Sequence, residues 1–567
     1  MTSLRRLLFT GVSALALSAS FFLSTGCKPK SHPAPFTAKL TELEGVQAVY
    51  TLRHPKLIIG DLDKLMTEVP EAALARMFLG QLTPFGYPEF SELETGANIG
   101  IVMLELNTAE LESAKPELVG FAKLKEDGKI WNALKQSGLA LEKHGTWVWI
   151  AQSTASFAKV KTPDALTAYI ERPQTEEVKV WGRVSPALLA KAKELLLPKL
   201  QDKLSSRPAE EQKAFVGYFN VLWNYVSQLH SGGGSLDFKD HEITLAYSAQ
   251  FQPASATGTF LRYAPGTAPK IAQSVPADGL MNAVIRQNMD GQMEFVGGLI
   301  DALMAVDYPA GAEALKAVKS SYLTFSQSSD GGAVLTMDMN LPKNGQPPEI
   351  DLLGVQSGHF TEAQVNAYYK TSIALSQKFT NAMMAAVSAI TPNAPVPHID
   401  QVLTENALTI DGVNFGKVVT TTTTTVAGHE QTSSSTQYYG VVGDNLVYAM
   451  NEASLRAKLP ALASKKPVAN AVPATFTGDE MAIVTVPGAK IVDMVAGALT
   501  LDNADADIQA QLKSLKDGYA AAGPVKVSLG TSQAQATVTL TIPYKFIAQS
   551  VRLGQFASTH KTPAPTP

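Results

Sequence analysis

The sequence predicts an α+β fold of two pseudo-repeated lobes, each a curved antiparallel sheet with helices packed on one face. Strand and helix patterns occur in mixed order, which is typical of antiparallel sheets with packed helices and not of a doubly wound parallel sheet. Residues 243–249 alternate between apolar and polar side chains, as expected for a sheet with one solvated face. A repeat of segments along the chain is the third observation.

The repeat is clearest where two segments match at a constant spacing. At an offset of 234, Gly120 falls on Gly354, and residues 131–141 fall on 365–375. Segments that match in order at a fixed offset are the mark of an internal duplication.

Further along the chain the offset becomes 298, where residues 151–157 fall on 449–455. The jump in offset predicts an insertion in the second lobe at about 376–443. This insertion contains a polar hairpin, predicted as 407–427 with 433–443, whose rows of Thr and Ser favour strand. Such a hairpin is either solvated or able to accept another strand at its edge.

Helical periodicity predicts eight further elements. They are 62–80, 187–204, 209–230, 292–305, 361–390, 452–463, 488–500 and 505–522. Thr361 stands three residues before Gln364, which predicts a capping box. Asp505 is expected to cap the last of these helices, and Asp61 is also assigned to a helix start.

The N-terminus has the composition of an export signal. Arg5 and Arg6 precede an uncharged apolar run over residues 7–23, and a small-residue segment ends at Gly26. A basic start, an apolar run and a small-residue cleavage site make a secretory signal peptide. The run is too short for a membrane span, which needs about 20 mostly apolar residues.

The residues from Leu23 to Cys27 resemble the lipobox of bacterial lipoproteins. This resemblance implies cleavage between Gly26 and Cys27, lipidation of Cys27 and a membrane anchor. Ser24 departs from the aliphatic residue that the family prefers there, and ordinary signal cleavage at the same bond is the alternative. Lys28 stands where the family's inner-membrane retention signal places Asp, so the resemblance favours the outer membrane, facing the periplasm or the cell surface.

Cys27 is the only cysteine among 567 residues, so no intramolecular disulfide can form. The residues after it are rich in proline and polar side chains, which is typical of a spacer that holds a domain away from a surface. The predicted organisation is a signal peptide (1–26), a lipidated cysteine with a Pro-rich spacer (27–44), a first lobe (45–266), a second lobe (267–557) and a disordered tail (558–567).

Composition and charge exclude several classes of function. Hydrophobic residues make up 45% and charged residues 17%, which is enough for a packed core. The net charge is −4, and the 47 basic and 51 acidic residues are well mixed, so nucleic-acid binding has no electrostatic support. The nine histidines have no zinc-ligand spacing, and neither a metal nor a cofactor is expected.

No catalytic motif stands out, and no residue is assigned to catalysis. Ser156 and Lys159 fit S-x-x-K, but the companion motifs of that enzyme class are missing. The glycine triplet 232–234 lacks the lysine of a phosphate-binding loop. It is predicted instead as a flexible turn with a helix C-cap.

The leading functional prediction is a non-catalytic, lipid-anchored envelope protein that binds or scaffolds something. The alternative is a periplasmic carrier or chaperone for a lipid or another apolar ligand. The third hypothesis is a hydrolase with a dispersed active site. Expected partners are the membrane, through the anchor, and either a protein or an apolar ligand. Six methionines are predicted either to line an adaptable apolar groove or to pack in the core. They are Met281, Met289, Met293, Met304, Met383 and Met384.

Overall fold

The structure is a computed structural model in which only part of the chain is described. The described residues are 43–69, 92–93, 97–105, 117–171, 176–205, 208–239, 241–263, 266–307, 309–340, 349–374, 377, 397–426, 429–476, 478–499, 501 and 505–560. Gly26, Cys27, Met383 and Met384 lie outside these ranges, as do the signal peptide and most of the spacer.

Eighteen described strands form one antiparallel sheet. The strands are β1 Val46–Leu52, β2 Ile99–Leu104, β3 Leu118–Ala122, β4 Ala140–His144, β5 Trp147–Ala151, β6 Val178–Arg183, β7 Leu229–Lys239, β8 Glu242–Phe251, β9 Met281–Arg286, β10 Ser329–Asn340, β11 Glu349–Gly358, β12 Pro397–Ile410, β13 Val413–Val426, β14 His429–Val442, β15 Asn445–Ala449, β16 Glu480–Val486, β17 Val525–Ser532 and β18 Gln535–Pro543.

The hydrogen-bonded pairs give one continuous order of strands. From end to end it is β4, β5, β3, β2, β1, β6, β7, β8, β18, β17, β16, β9, β10, β11, β15, β14, β13 and β12. Long antiparallel pairing together with many helices confirms the α+β class. The prediction gave each lobe its own sheet, but a single sheet runs through both because β8 pairs with β18.

Thirteen helices accompany the described part of the sheet. They are α1 Pro55–Glu68, α2 Lys129–Gln136, α3 Pro163–Ile170, α4 Pro186–Leu204, α5 Ala209–Val226, α6 Ala256–Phe260, α7 Met289–Met304, α8 Pro309–Gln327, α9 362–374, α10 Glu452–Ser464, α11 Gly488–Ala498, α12 Ala506–Ala522 and α13 Tyr544–Thr559. Short 3₁₀ helices cover Thr154–Lys159 and Lys270–Ser274. Helix α13 therefore runs two residues into the tail predicted from residue 558.

The helix starts test the capping predictions. Thr361 and Gln364 form the predicted capping box: the Thr361 N–H donates to Gln364 Oε1 at 3.1 Å, and the Gln364 N–H donates to Thr361 Oγ1 at 3.3 Å. Asp505 accepts from the Ile508 N–H at 2.9 Å, as a cap should. The assignment of Asp61 to a helix start is wrong, because α1 begins at Pro55 and Asp61 lies in its middle.

Helices pack on both faces of the sheet, which corrects the expectation of helices on one face. Leu446 and Val447 are neighbours in β15 and therefore point to opposite sides. Leu446 belongs to a buried cluster with Val365 of α9, whereas Val447 belongs to a cluster with Leu455 of α10. Both sides of this strand are apolar, so each can bury a helix.

The predicted insertion contains three strands where the sequence pattern indicated two. Strands β13 and β14 form the expected hairpin, with Thr421 opposite Ser434. A third strand, β12, pairs with β13 through a tight turn at Asp411 and Gly412, both of which have positive φ. An Asp-Gly pair is a strong hairpin signal because both residues tolerate that backbone conformation.

Candidate functional site

The two sides of the sheet differ in polarity at its centre. Residues that pair directly across neighbouring antiparallel strands point to the same side. The side to which Tyr247 points is called the apolar face here. On the other side, β8 and β18 present mainly small or polar residues, and Ser248 Oγ lies 2.9 Å from Thr537 Oγ1.

One row of directly paired residues follows the apolar face across almost the whole sheet. All its members are uncharged, and all but one of them are apolar or glycine. The row comprises Leu141, Ile150, Gly120, Ile101, Tyr50, Val180, Gly234, Tyr247, Val538, Leu529, Ala482, Ile285, Ala333, Gln356, Leu446 and Val441.

The apolar face keeps large hydrophobic side chains in contact with solvent. Among the described strand residues, eight large hydrophobic side chains are exposed, and seven of them point to this face. The seven are Tyr50, Ile101, Leu118, Leu245, Tyr247, Ile350 and Val538. The eighth, Val402 in β12, points the other way. Scattered exposed side chains would divide between the faces, so this gathering marks a candidate binding surface.

Helices cover the apolar face in part. Residues of α1 and α13 form a buried cluster with Phe238 of β7, and α11 and α12 pack with Phe546 of α13 near the same end of the strands. At the other end, Ala536 of β18 packs with Phe260 and Leu261. Leu245, Tyr247 and Val538 lie between these covered regions, and Tyr247 remains 65% exposed.

The glycine triplet 232–234 lies inside β7, so the prediction of a flexible turn there is wrong. A Cβ on Gly233 would lie 2.2 Å from Trp181 Cε3 on the opposite face, which leaves no room for any side chain. On the apolar face, the Tyr247 ring lies against Gly232 and Gly234. Gly233 thus admits the Trp181 ring, and a Cβ on Gly232 or Gly234 would lie 3.3 Å or 3.2 Å from the carbonyl oxygens of Ser248 and Ala246. These are long-range requirements that a local pattern does not reveal.

A buried ionic cluster lies beside α1, away from the exposed residues. Arg53 Nη2 lies 2.6 Å from Glu177 Oε1 and also contacts Asp61. The Phe238 N–H donates to Glu177 Oε2 at 2.6 Å, and the Glu177 side chain is fully buried. Burial raises the pKa of Glu177 to about 7, although Arg53 opposes the shift, and Asp237 adds to it.

Asp61 behaves differently from Glu177. Burial opposes ionisation of Asp61, but hydrogen bonds from Lys64 and Arg53 outweigh it and lower the pKa of this carboxyl. Lys64 Nζ lies 2.7 Å from Asp61 Oδ1. Arg53 therefore joins an ionised carboxylate to a second carboxyl whose charge depends on pH.

The other candidate residues are dispersed. Ser156 is buried, and Lys159 Nζ lies 2.7 Å from Glu117 Oε2 rather than serving the serine. Met281 lies in β9, whereas Met289, Met293 and Met304 lie in α7, so these four methionines do not share one element. Of these, Met304 packs with the buried residues shared by α7 and α8.

The described residues contain neither a group of metal-ligating side chains nor a membrane-spanning helix. There, the His, Cys, Asp and Glu side chains form no group of three or more that could hold a metal ion. Within the same residues, none of the helices combines the length and apolarity that crossing a membrane requires.

The alternation in 243–249 was the sequence signal for the apolar face, but it gave no sign of which side chains stay exposed.

No protein-family model, curated protein or solved structure gives a significant match to this chain.

Proposed function

We propose that this chain is a lipid-anchored, non-catalytic envelope protein that binds an apolar ligand on the apolar face. One observation carries the proposal: seven of the eight exposed large hydrophobic side chains on described strands point to that face. Completing the burial of each half-exposed side chain is worth about 1 kcal/mol. Several such contacts together can exceed the entropic cost of immobilising a ligand.

The chemistry of the face defines the ligand class. The row through Tyr50, Tyr247 and Val538 contains no charged residue over sixteen strand positions. A charged group placed against this row would lose its hydration without gaining a partner. The part of the ligand that contacts the sheet is therefore uncharged and apolar, such as an acyl chain or another lipid tail.

The anchor proposed at Cys27 agrees with such a ligand. A lipid on Cys27 would hold the body beside a membrane, which is a source and a destination of apolar molecules. The Pro-rich residues after Cys27 would act as the spacer between them.

The binding proposal is tested by titrating the chain lacking residues 1–27 with a fluorescent fatty acid. The described structure starts at residue 43, so this truncation leaves it whole. Val538→Lys places a charge on the apolar face and is expected to weaken binding at least 10-fold, because the ammonium group must be buried or must displace the ligand. Thr539→Lys is the matched control, since Thr539 is its neighbour on the opposite face.

Saturable binding that only Val538→Lys weakens supports the proposal. If the unmodified chain does not bind the probe, or if both variants bind it as the unmodified chain does, the apolar face is not the binding surface.

We also propose that the two lobes arose by duplication, which sequence offsets alone only suggest. Eight strands of the first part of the chain have counterparts in the second part, in the same order across the sheet. The first order is β4, β5, β3, β2, β1, β6, β7, β8, and the second is β14, β15, β11, β10, β9, β16, β17, β18. The two strands without a counterpart, β12 and β13, fall within the predicted insertion at 376–443; β14 also falls there, so in this alignment the inserted part ends before β14.

Pairing registers support the same alignment. Val119 pairs with Ala151, and Leu353 pairs with Ala449. The sequence offset of 234 carries Val119 to Leu353, and the offset of 298 carries Ala151 to Ala449. The offsets come from sequence similarity alone, yet they carry one pair of residues that are distant in sequence onto another such pair.

The junction between the lobes supports a pseudo-twofold relation. An offset of 293 carries the β7–β8 turn pair, Lys239 and Glu242, onto the β17–β18 turn pair, Ser532 and Gln535. The same offset carries Ala246 to Thr539, and these two residues pair at the middle of the β8–β18 register. The two related strands therefore meet at equivalent positions, as in a self-complementary interface.

Helix packing extends this relation. Helix α6, which follows β8, packs on α7, with the Phe260 and Phe295 ring centroids 4.9 Å apart. Helix α13, which follows β18, packs on α1 through a cluster that includes Ile58 and Tyr544. In each case the helix after the last strand of one lobe contacts the first long helix of the other.

A further inference from the structure

Tyr247 lies at the centre of the apolar face, and its ring rests on the backbone of β7. A Cβ built on Gly234 would lie 3.7 Å from Tyr247 Cδ2, and one built on Gly232 would lie 3.9 Å from Tyr247 Oη. Contact with two glycines on the same side of one strand means that the ring lies along the strand. No side chain of these residues stands between the ring and the sheet.

Other aromatic rings also lie over strand glycines, but those rings are buried or, for Tyr448 over Gly354, partly buried. Trp181, over Gly233, is 5% exposed, and Tyr439, over Gly416, is 1% exposed. Aromatic side chains commonly stabilise sheets by covering glycines in a neighbouring strand. This stabilising role explains why Tyr247 lies over Gly232 and Gly234, but it does not explain why the residue is left 65% exposed.

The second lobe has no equivalent of this arrangement. The offset of 293 carries Gly232 and Gly234 to Val525 and Val527, and it carries Tyr247 to Leu540. Strands with the same place in the sheet therefore form without glycines or an aromatic ring. The flat, exposed ring is a feature of the first lobe and not a requirement of the fold.

We propose that the Tyr247 ring, held flat on Gly232 and Gly234, is a stacking platform for a planar, uncharged ring system in an apolar ligand. This inference rests on the proposed function and narrows its ligand class. Aromatic rings stack offset on planar partners, which adds to the free energy of area burial. Leu245 and Val538 flank the platform and would contact the aliphatic part of the same ligand.

The test compares two probes on the chain lacking residues 1–27. Phylloquinone combines an uncharged planar ring with an aliphatic tail, whereas palmitic acid has a tail and no ring. Tyr247→Leu, which installs the residue found at the equivalent place in the second lobe, is expected to weaken phylloquinone binding about 3- to 10-fold. Palmitic acid binding is expected to change less than about 2-fold, since Leu keeps the apolar contact.

Three further variants complete the design. Tyr247→Phe keeps the ring and is expected to keep the preference for phylloquinone. Gly234→Val keeps Tyr247 but lifts its ring from the strand, and is expected to reduce that preference. Val402→Ala removes an exposed hydrophobic side chain from the opposite side of the sheet and is expected to leave both affinities unchanged. Circular dichroism and thermal unfolding show whether each variant is folded.

The outcomes separate this inference from the proposed function. If Tyr247→Leu weakens both probes equally, or neither, or if the unmodified chain binds palmitic acid alone, the stacking platform is overturned and the apolar binding face stands. If the unmodified chain binds neither probe, the proposed function itself is overturned, and the platform with it.

Discussion

Tyr247 of β8 pairs directly with Val538 of β18, and both side chains stay in contact with solvent on the apolar face, with exposed fractions of 65% and 39%. This pair spans the junction between the proposed lobes. The apolar surface is therefore continuous across the junction. A ligand of lipid length could contact side chains from both lobes at once.

At pH 8, where Glu177 is ionised, replacing Arg53 with Met is expected to lower the free energy of unfolding by about 3–5 kcal/mol, because it leaves the buried Glu177 carboxylate without its cation. Urea unfolding followed by circular dichroism measures the change. Lys64→Met is the control: it removes a cation from the same Asp61, but its side chain is 69% exposed, so a loss below about 1 kcal/mol is expected. Equal losses in the two variants would contradict the assigned role of Arg53.

The raised pKa of Glu177 predicts a pH-dependent stability. The folded state holds this proton up to about pH 7, whereas the unfolded chain releases it near its ordinary pKa of 4.5. The stabilisation is therefore complete below the unfolded pKa and is lost as the pH rises through the folded value. The loss between pH 5 and pH 8 would be up to about 3 kcal/mol.

The matched variant for this pH effect is Glu177→Gln, which cannot titrate at that position. Urea unfolding at both pH values should show a steeper loss of stability in the unmodified chain than in the variant. Parallel pH profiles would show that Glu177 has the same pKa in both states.

Strand glycines beneath aromatic rings are expected to be intolerant of a methyl group. A Cβ on Gly354 would lie 2.0 Å from Tyr448 Cζ, so Gly354→Ala should lower the free energy of unfolding by about 1–3 kcal/mol. Gly298 lies in α7 with nothing within 4 Å, so Gly298→Ala should raise it by about 0.5–1 kcal/mol. Thermal unfolding that shifts in the same direction for both variants would contradict this account of the glycines.

Cys27→Ser is expected to release the exported protein from the membrane fraction, since serine cannot take the thioether-linked lipid. Fractionation followed by immunoblotting measures the distribution. A Ser24→Leu variant restores the aliphatic residue that the lipobox prefers and should remain in the membrane. If the Cys27→Ser protein stays in that fraction, the anchor proposal fails, while the account of the body is unaffected.

Local patterns predicted eight of the thirteen described helices. They missed α2, α3, α6, α8 and α13, and they placed α1 at 62–80 instead of Pro55–Glu68. Helices α4, α10 and α12 begin and end within one or two residues of the predicted bounds. Asp61 was misplaced because Pro55, a residue that favours the first helical position, was not used as the start signal. The Asp-Gly turn at 411–412 was likewise a readable signal for the third inserted strand.

The apolar face could be predicted only in part. Alternation in β8 showed that one side of the strand would be apolar, but it did not show that α1, α6 and α13 pack on other residues of this face and leave Tyr247 exposed. The glycine triplet was misread because its reason is the approach of Trp181 to Gly233 and of the β8 carbonyl oxygens to Gly232 and Gly234. Contacts between residues distant in sequence leave no local periodicity to read.

If the apolar face holds an apolar ligand, the purified protein should carry such molecules, and mass spectrometry detects them. The chain lacking residues 1–27 would be purified without detergent, extracted into organic solvent and compared with its Val538→Lys variant. Apolar molecules are expected in the extract of the unmodified chain and are expected to be missing from that of the variant. An unmodified chain that carries no apolar molecule and takes up none when incubated with lipid vesicles would contradict it.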